Sequence, residues 1–521
     1  MPKSTDTPTA SRGAQYATLA AALLGWMFDG FEMGLFPLIG KPALKDLLGA
    51  GVDPADADRW FGVIMAVFLV GAASGGVLFG WLGDKIGRVR AMSLSIFTYA
   101  VLTGLCGFAT EAWHIAILRF IASLGMGGEW SLGVALVNEI WPGKSRAFIA
   151  GLIGAASNVG FLLVAMLSLG LTQVIGSVES ALVSIGVSQA TTTNLLQNSA
   201  WRFLMISGAF PALLIFFIRL FVPESSKWQE EKASGNTSNW NTADLFGVLI
   251  GCGCAIGIIW AWSPAGAAAG LSKTQATLIT IVGMLIALCG FLFPVRQYLS
   301  RAVAGGSLSA GSQSKVLGRM LLGATLAGIA LLGTWGTIQR APSWAADLPW
   351  SSNWAESWQL DAAGKKTYAS ALTQGATAIG AIFATIMAAM AAGRFGRRLT
   401  YMFLCLGSFA MAVCFFQMNN SFGTQFLVMA VLAGGVTASF YGFFPLYFPE
   451  LFPTSVRATG QGFSFNFGRI LAAVGGLQMT NLMIFFGNSF PKAGSAMASI
   501  YLIGVFVIWL GPETKGKELP D

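Results

Sequence analysis

The sequence predicts an all-α polytopic membrane protein with 14 transmembrane helices, arranged as two parallel six-helix halves with a two-helix hairpin inserted between them. Three observations carry this expectation. First, 55% of the 521 residues are hydrophobic and only 10% are charged, against about a quarter charged in soluble domains. Second, the apolar residues come in runs of about 20, the length a helix needs to cross about 30 Å of hydrocarbon. Third, two short motifs recur at nearly one offset. A soluble chain of this length would split into domains and carry far more charge. Soluble enzyme, secreted domain and disordered chain are therefore excluded.

The apolar runs place spans near 17–39, 60–82, 91–110, 112–138, 147–172, 200–222, 244–263, 275–296, 317–338, 369–392, 399–418, 423–448, 458–486 and 493–511. Residues 1–16 are polar and no small-residue cleavage site follows, so the first span is expected to be retained rather than processed. With the N-terminus inside, the inner segments hold 19 Lys and Arg and the outer segments 8. Basic loops stay in the cytoplasm, so both termini are expected there, in the cell (inner or plasma) membrane. The net charge of +8 then reflects topology rather than a nucleic-acid partner. The cysteines all lie in apolar runs and behave as small hydrophobes, so neither a disulfide framework nor a metal site is expected.

The repeat fixes the architecture. Glu139-Ile-Trp-Pro142-Gly-Lys-Ser-Arg146 reads E-x-x-P-x-x-x-R, and so does Glu450-Leu-Phe-Pro453-Thr-Ser-Val-Arg457. Lys85-Ile-Gly87-Arg88 matches Arg394-Phe-Gly396-Arg397 in nearly the same register. The pairing divides the chain into residues 1–222, a first six-helix bundle, and 317–521, a second. Residues 223–316 hold a charged loop, the extra hairpin and a Gly/Ser-rich stretch. Parallel six-helix halves with a site near the midplane are a transporter architecture.

The motifs themselves carry a family resemblance. Gly80-Trp-Leu-Gly83-Asp84-Lys85-Ile-Gly87-Arg88-Val-Arg90 resembles the loop 2–3 signature of the major facilitator superfamily. Pro223-Glu224-Ser225-Ser226-Lys227-Trp228 and Pro512-Glu513-Thr514-Lys515-Gly516 resemble motifs of its sugar-porter branch. Gly25-Trp-Met-Phe-Asp29-Gly-Phe-Glu32, together with Gly127-Gly128-Glu129-Trp130, looks more like the organic-acid/proton symporters, of which the sialate transporters also carry a central hairpin. Gly393 stands where the second copy of Asp84 would be. The two halves are thus not expected to share one carboxylate latch.

Ionisable side chains inside spans cost at least about 2.5–3.5 kcal/mol each on insertion scales and mark function by default. Asp29, Glu32, Arg119, Glu129 and Arg469 lie well inside spans. Asp29 and Glu32 are three residues apart and share a helix face. The resemblance makes helices 1 and 4 neighbours, so Arg119 is expected to pair with Glu32 or Asp29. A buried carboxylate keeps a proton more readily and an adjacent arginine strips it, which is the coupling a symporter requires. The competing expectation is a structural ion pair. Glu129 is expected to extend the relay inward, or else to pack among Gly125, Gly127 and Gly128.

Arg469 falls near the midplane, and its fork suits a carboxylate held by two parallel hydrogen bonds. It is expected to bind an anionic group of the substrate, with Asn466 one turn earlier orienting the ligand; the alternative is a structural pairing with helix 10 or 8. Asn158, Trp335, Gln339, Gln374, Tyr441 and Gln461 are further substrate-binding candidates, because the resemblance places their spans around the cavity. It also implies a cytoplasmic gate of inter-helix ion pairs from Asp84, Arg88, Glu139, Arg146, Glu450 and Arg457.

The single histidine, His114, begins the fourth span, so carboxylates rather than imidazole must carry any proton through the membrane. The sequence holds no Walker A motif, which argues against ATP-driven pumping, and no nucleophile–base constellation for an enzyme. The expected function is secondary transport by alternating access: proton-coupled uptake of a small organic anion or sugar acid. A neutral-sugar porter or uniporter is the alternative within the class, and a transporter-like receptor or sensor the alternative outside it. The expected partners are the small-molecule substrate and the lipid bilayer. No nucleic acid and no cofactor are expected, the proton is the coupling ion, and a monomer is expected to suffice. The extra hairpin is expected to be a peripheral spacer.

Overall fold

The computed structural model describes residues 12–49, 51–140, 146–215, 245–304, 312–358, 360–453, 457–517 and 520. Among them there is no β-strand, only an isolated bridge between Trp350 and Phe422. The principal helices of the first half are α1 (Arg12–Leu48), α2 (Pro54–Ile86), α3 (Arg88–Leu105), α4 (Ala112–Ile140), α5 (Arg146–Ser184) and α6 (Gln189–Ser207). Then come α7 (Leu245–Trp262) and α8 (Lys273–Ala304). The remainder holds α9 (Ser312–Gly336), α10 (Ala341–Ala345), α11 (Ala362–Phe395), α12 (Arg397–Gln417), α13 (Thr424–Ala438), α14 (Phe440–Leu451), α15 (Arg457–Leu477), α16 (Phe490–Ala498) and α17 (Ile500–Val507). Eleven stretches among the described residues are long and apolar enough to cross a membrane.

The sequence repeat has a backbone counterpart. Gly87 (φ 107°) joins α2 to α3, and Gly396 (φ 102°) joins α11 to α12. Each glycine ends one helix and begins the next, with φ in a region that side chains avoid. Close crossings are duplicated too. A Cβ on Gly127 would sit 1.8 Å from the Ala72 carbonyl oxygen, where α4 crosses α2. One on Gly380 would sit 1.8 Å from the Val431 oxygen, where α11 crosses α13. Small residues let membrane helices approach to backbone contact.

Several span boundaries differ from expectation. Helix α5 runs to Ser184 rather than ending near 172, because the apolar run is followed by a polar but uninterrupted helix-forming stretch. Helix α6 begins at Gln189 rather than 200 and is broken at Gln197–Ala200, where Asn198, Ser199 and Ala200 have positive φ. Asp46 at the end of α1 holds this turn: it accepts from Asn198 Nδ2 at 2.7 Å and Trp201 Nε1 at 3.0 Å and pairs with Arg202 at 3.2 Å. Helix α9 stops at Gly336, two residues before the expected end near 338. Thr337 (φ −123°, ψ −84°) breaks it, and α10 follows after one short 3-10 turn.

Arg340, expected as an outer-loop charge, is buried in that turn. Its guanidinium lies 5.4 Å from the Phe61 ring of α2, and Nη2 donates to the Gly476 carbonyl of α15 at 3.3 Å. It belongs to a belt of contacts joining the two halves at the end of the bundle opposite to where α1 begins. The belt includes the Lys41–Asp347 ion pair at 2.8 Å, the hydroxyl pair Ser199–Thr367 at 2.9 Å and a Gln173–Tyr368 hydrogen bond. Helices α7 and α8 pack on each other and touch both α2 and α15, flanking the seam between the halves. Their outer faces, with Phe246, Leu249, Leu278, Ile281 and Leu285, are exposed apolar surface of the kind lipid covers.

Candidate functional site

A cavity of about 840 Å³, open solvent included, lies where the two halves meet. Helix α1 supplies Trp26, Asp29 and Met33, and α2 supplies Phe68. Helix α5 supplies Ser157, Asn158 and Phe161. From the other half come Trp335 of α9, Gln339 of the break after it, Tyr441 and Phe444 of α14, and Phe465 and Arg469 of α15. Its lining is the mixture of a small-molecule site: mostly apolar walls with few polar groups converging.

Local sequence explains how these side chains are aimed. Gly30 and Gly160 bring α1 against α5 so closely that a Cβ on either would strike backbone of the other. Pro445 cannot donate to the Tyr441 carbonyl one turn earlier, and Gly154 of α5 approaches that carbonyl. Trp335 Nε1 donates to the Tyr441 hydroxyl at 3.0 Å, fixing both rings as one wall. Asn158 Nδ2 donates back to Gly154 O at 2.8 Å, leaving its oxygen for the cavity.

Asp29 and Glu32 share a helix but not an environment. Glu32 is fully buried, and its Oε1 accepts from Thr103 at 2.9 Å and lies 3.1 Å from Arg119 Nη1. Arg119 is also buried, with its guanidinium 4.6 Å from the Phe68 ring and 5.3 Å from Phe36. Glu32, rather than Asp29, is the partner of Arg119. Asp29 reaches the cavity, and the charged groups acting on it are Glu129, Arg469 and Glu32. The Glu129 carboxylate occupies the space that Gly25 leaves by having no side chain. Neither Glu129 oxygen, nor one oxygen of Asp29, nor the buried Trp26 indole N–H has a hydrogen-bond partner among the described residues.

Arg469 stacks 4.9 Å from the Phe465 ring and meets Asn466 Oδ1 at 3.4 Å. Of the expected substrate-binding residues, Asn158, Trp335, Gln339, Tyr441 and Arg469 line this cavity, and Gln374 lines a smaller chamber continuous with it. Asn466 and Gln461 line neither. Asn466 is turned onto α2, where its amide nitrogen sits over Gly76. Both are buried on the flank of α15, because one turn of helix from Arg469 already faces the neighbouring helix.

At the end where α12 begins, Glu450 takes Arg397 in a fork, Nη2 to Oε1 at 2.6 Å and Nε to Oε2 at 2.9 Å, and accepts from the Thr514 hydroxyl at 2.6 Å. Arg457 donates to the carbonyls of Pro449, Phe452 and Pro520. Arg397, which the sequence marks only as part of the duplicated turn, is thus the ion-pair partner of Glu450. The Glu513 carboxylate accepts from the backbone N–H of Arg397 (3.0 Å) and Arg398 (3.1 Å), so the Pro-Glu-Thr segment caps α12. Burial alone would push the Glu513 carboxyl up. The backbone N–H groups of Arg397, Arg398, Lys515 and Thr514 outweigh it and hold it below the usual range. The side chains of Asp84, Arg88, Glu139 and Arg146 lie outside the described residues.

Sequence reasoning missed Trp26, Phe68, Phe161 and Thr103. Trp26 was within reach, since it lies one turn before Asp29 on the same face. The others are ordinary apolar or hydroxyl residues whose role comes only from what packs opposite. No group of three or more His, Cys, Asp or Glu able to hold a metal occurs among the described residues.

Two helical halves around a central cavity that holds a cation, a carboxylate and aromatic walls define a membrane transporter rather than an enzyme. The chain belongs to the sugar (and other) transporter family, whose model matches residues 14–245 and 359–521, and thereby to the major facilitator superfamily. A putative metabolite transport protein of Haemophilus influenzae is 25% identical over 97% of this chain and 98% of its own length. A probable 4-methylmuconolactone transporter of Cupriavidus pinatubonensis is 25% identical over 97% and 92%. The proton:xylose symporter XylE bound to 6-bromo-6-deoxy-D-glucose superposes with a TM-score of 0.61 over 97% of this chain and 98% of its own, at 17% identity, and shares the fold.

Proposed function

We propose that this protein is a proton-coupled symporter that takes up a small organic anion by alternating access, with both termini cytoplasmic. The bundles are residues 1–222 and 317–521, and α7 and α8 complete a set of fourteen spans. The observation that carries the reading is that Asp29 and Arg469 line one cavity from opposite halves. A carboxylate substrate seated on Arg469 competes with Asp29 for that cation, and a proton taken up by Asp29 or its neighbour Glu129 removes the competition. Binding of the anion and of the proton thereby favour each other, the reciprocal linkage that coupling requires. The Glu32–Arg119 pair holds α1 against α4 within the first half.

The test is purified protein in proteoliposomes under an imposed pH gradient, following lumenal pH while monocarboxylates, sugar acids and neutral sugars are added outside. Acid-dependent proton entry that Asp29→Asn abolishes, with uptake weakened in Arg469→Gln, is the expected result. Uptake of a neutral sugar without proton movement would sink the coupling and favour the second reading, a neutral-sugar porter. That reading draws on the amides of Asn158 and Gln339 in the cavity wall, groups that suit sugar hydroxyls.

A further inference from the structure

The cavity continues past Asn158 and Gln339 into a second chamber of about 360 Å³, open solvent included. No charged residue lines it; its polar groups are the amides already named, Gln374 and three threonines. Gln374 of α11 is only 2% exposed. Its Nε2 donates to the Phe161 carbonyl of α5 at 3.2 Å. A carbonyl can only accept, so that bond fixes which way the amide faces. Its oxygen is left without a hydrogen-bond partner among the described residues.

The hydroxyls beside it have spent their protons. Thr377 donates to Gln374 O at 2.9 Å and Thr437 to Ala433 O at 2.7 Å. What they have left for a ligand is lone pairs. The chamber therefore offers an unmet acceptor at Gln374 and no counter-charge. A second carboxylate would be buried there without a cation and against the Gln374 oxygen, and an ammonium without an anion, both costly. A hydroxyl supplies the missing donor without bringing a charge.

We propose that this chamber is the subsite for the uncharged, hydrogen-bond-donating end of the substrate, so that the transported molecule carries an anionic group at one end and a hydroxyl at the other. The assignment of the anionic end rests on the Arg469 reading above; that of the hydroxyl end rests on Gln374 alone. A dicarboxylate of the same length is a poor ligand on this account.

Titration calorimetry of the full-length protein in nanodiscs with ω-hydroxyhexanoate, its methyl-ended isostere heptanoate and adipate tests this. The hydroxy acid should bind roughly tenfold more tightly than heptanoate, the scale of one buried hydrogen bond, and adipate should bind no better than heptanoate. Gln374→Met should erase the preference for the hydroxy acid while heptanoate binding holds. Thr377→Val, which leaves the bond to Phe161 in place, should narrow the preference and guards against a folding defect in the first variant. Equal binding of all three probes, tighter binding of adipate, or an undiminished preference in both variants would overturn the subsite. Arg469→Gln separates the two readings. If it leaves all three acids unchanged, the anion site falls, and the hydroxyl preference still judges Gln374 independently.

Discussion

The two halves share a backbone plan and use charge in opposite ways. In the first half, ionisable groups sit deep among the helices: the Glu32–Arg119 pair, then Asp29 and Glu129 with oxygens that have no hydrogen-bond partner among the described residues. In the second half the buried pair Arg397–Glu450 lies at the helix ends, satisfied by a fork and by Thr514, and the interior contributes Arg469. A fully satisfied pair at a helix end fixes geometry. Under the proposed symport, that difference would give proton handling to the first half and ligand orientation to the second.

The largest expected effect comes from removing one partner of the deep pair. Arg119→Leu leaves Glu32 buried without its cation and should cost about 3–5 kcal/mol, read as a fall in thermal unfolding temperature or loss of folded protein on size exclusion. Thr103 alone cannot compensate, since Glu32 Oε2 already lacks a hydrogen-bond partner among the described residues. A variant as stable as wild type would show that water reaches Glu32 and that the pair is not the anchor described here.

Neutralising both members of each pair sharpens the contrast. Glu32→Gln with Arg119→Leu, and Glu450→Gln with Arg397→Leu, should each recover most of the stability lost in the single changes, because no buried charge is left alone. Transport should then divide them. The second double variant should retain proton-driven uptake, while the first should lose it by about tenfold, since α1 carries both Glu32 and Asp29 and loses its charged anchor to α4, and about 1.4 kcal/mol is a factor of ten. Equal uptake by both would erase the division of labour.

How much of this was legible in the sequence follows the same division. The duplicated turn around Gly87 and Gly396 was readable because φ near +100° leaves only glycine, so one residue type records the geometry. That Glu32 and Arg469 would be buried was readable because both lie well inside apolar runs. The partner of Arg119 was not, since Asp29 and Glu32 are a turn apart and only the rotation of α1 against α4 decides between them. Gln461 and Asn466 were misplaced for the same reason: polar residues on a cavity-lining helix can face its flanks. Arg340 looked like a loop charge because nothing local announces that Thr337 breaks the helix and folds the next turn inward. Arg397 and Glu513 meet across more than a hundred residues of chain, which no local pattern encodes.

A smaller effect separates the cap from the fork at the same helix end. Glu513→Ala removes a carboxylate acceptor from the first two N–H groups of α12 and should cost about 1 kcal/mol, the usual scale of a lost cap. Because the folded carboxyl is held below its ordinary value, its contribution is complete above the unfolded pKa of about 4.3 and fades as pH falls through the lower folded value. The protection of the Arg397 and Arg398 amides, taken relative to their intrinsic exchange rates, should fall on acidification in the wild type and show no such step in the variant. Protection that survives in Glu513→Ala would mean that α12 is held by its packing alone.

The smallest effect lies in the belt that closes the halves against each other. Lys41 reaches Asp347 at 2.8 Å and Asp58 at 3.8 Å, and both ends of the Lys41–Asp347 pair are substantially exposed. Such pairs contribute about 0.2–1 kcal/mol and weaken with salt. Arg340, buried between Phe61 and the Gly476 carbonyl, is shielded from that screening. A cysteine placed at Ser157 in the cavity wall, labelled from the closed end, reports the opening. Asp347→Asn should raise the labelling rate by roughly two- to fivefold at low salt, and high salt should raise the wild-type rate towards the variant's. Arg340→Gln should raise it further, by a factor over wild type that salt leaves unchanged, because the Lys41–Asp347 pair is present in both. A factor that shrinks as salt rises would place Arg340 in water and make the closure a surface contact throughout.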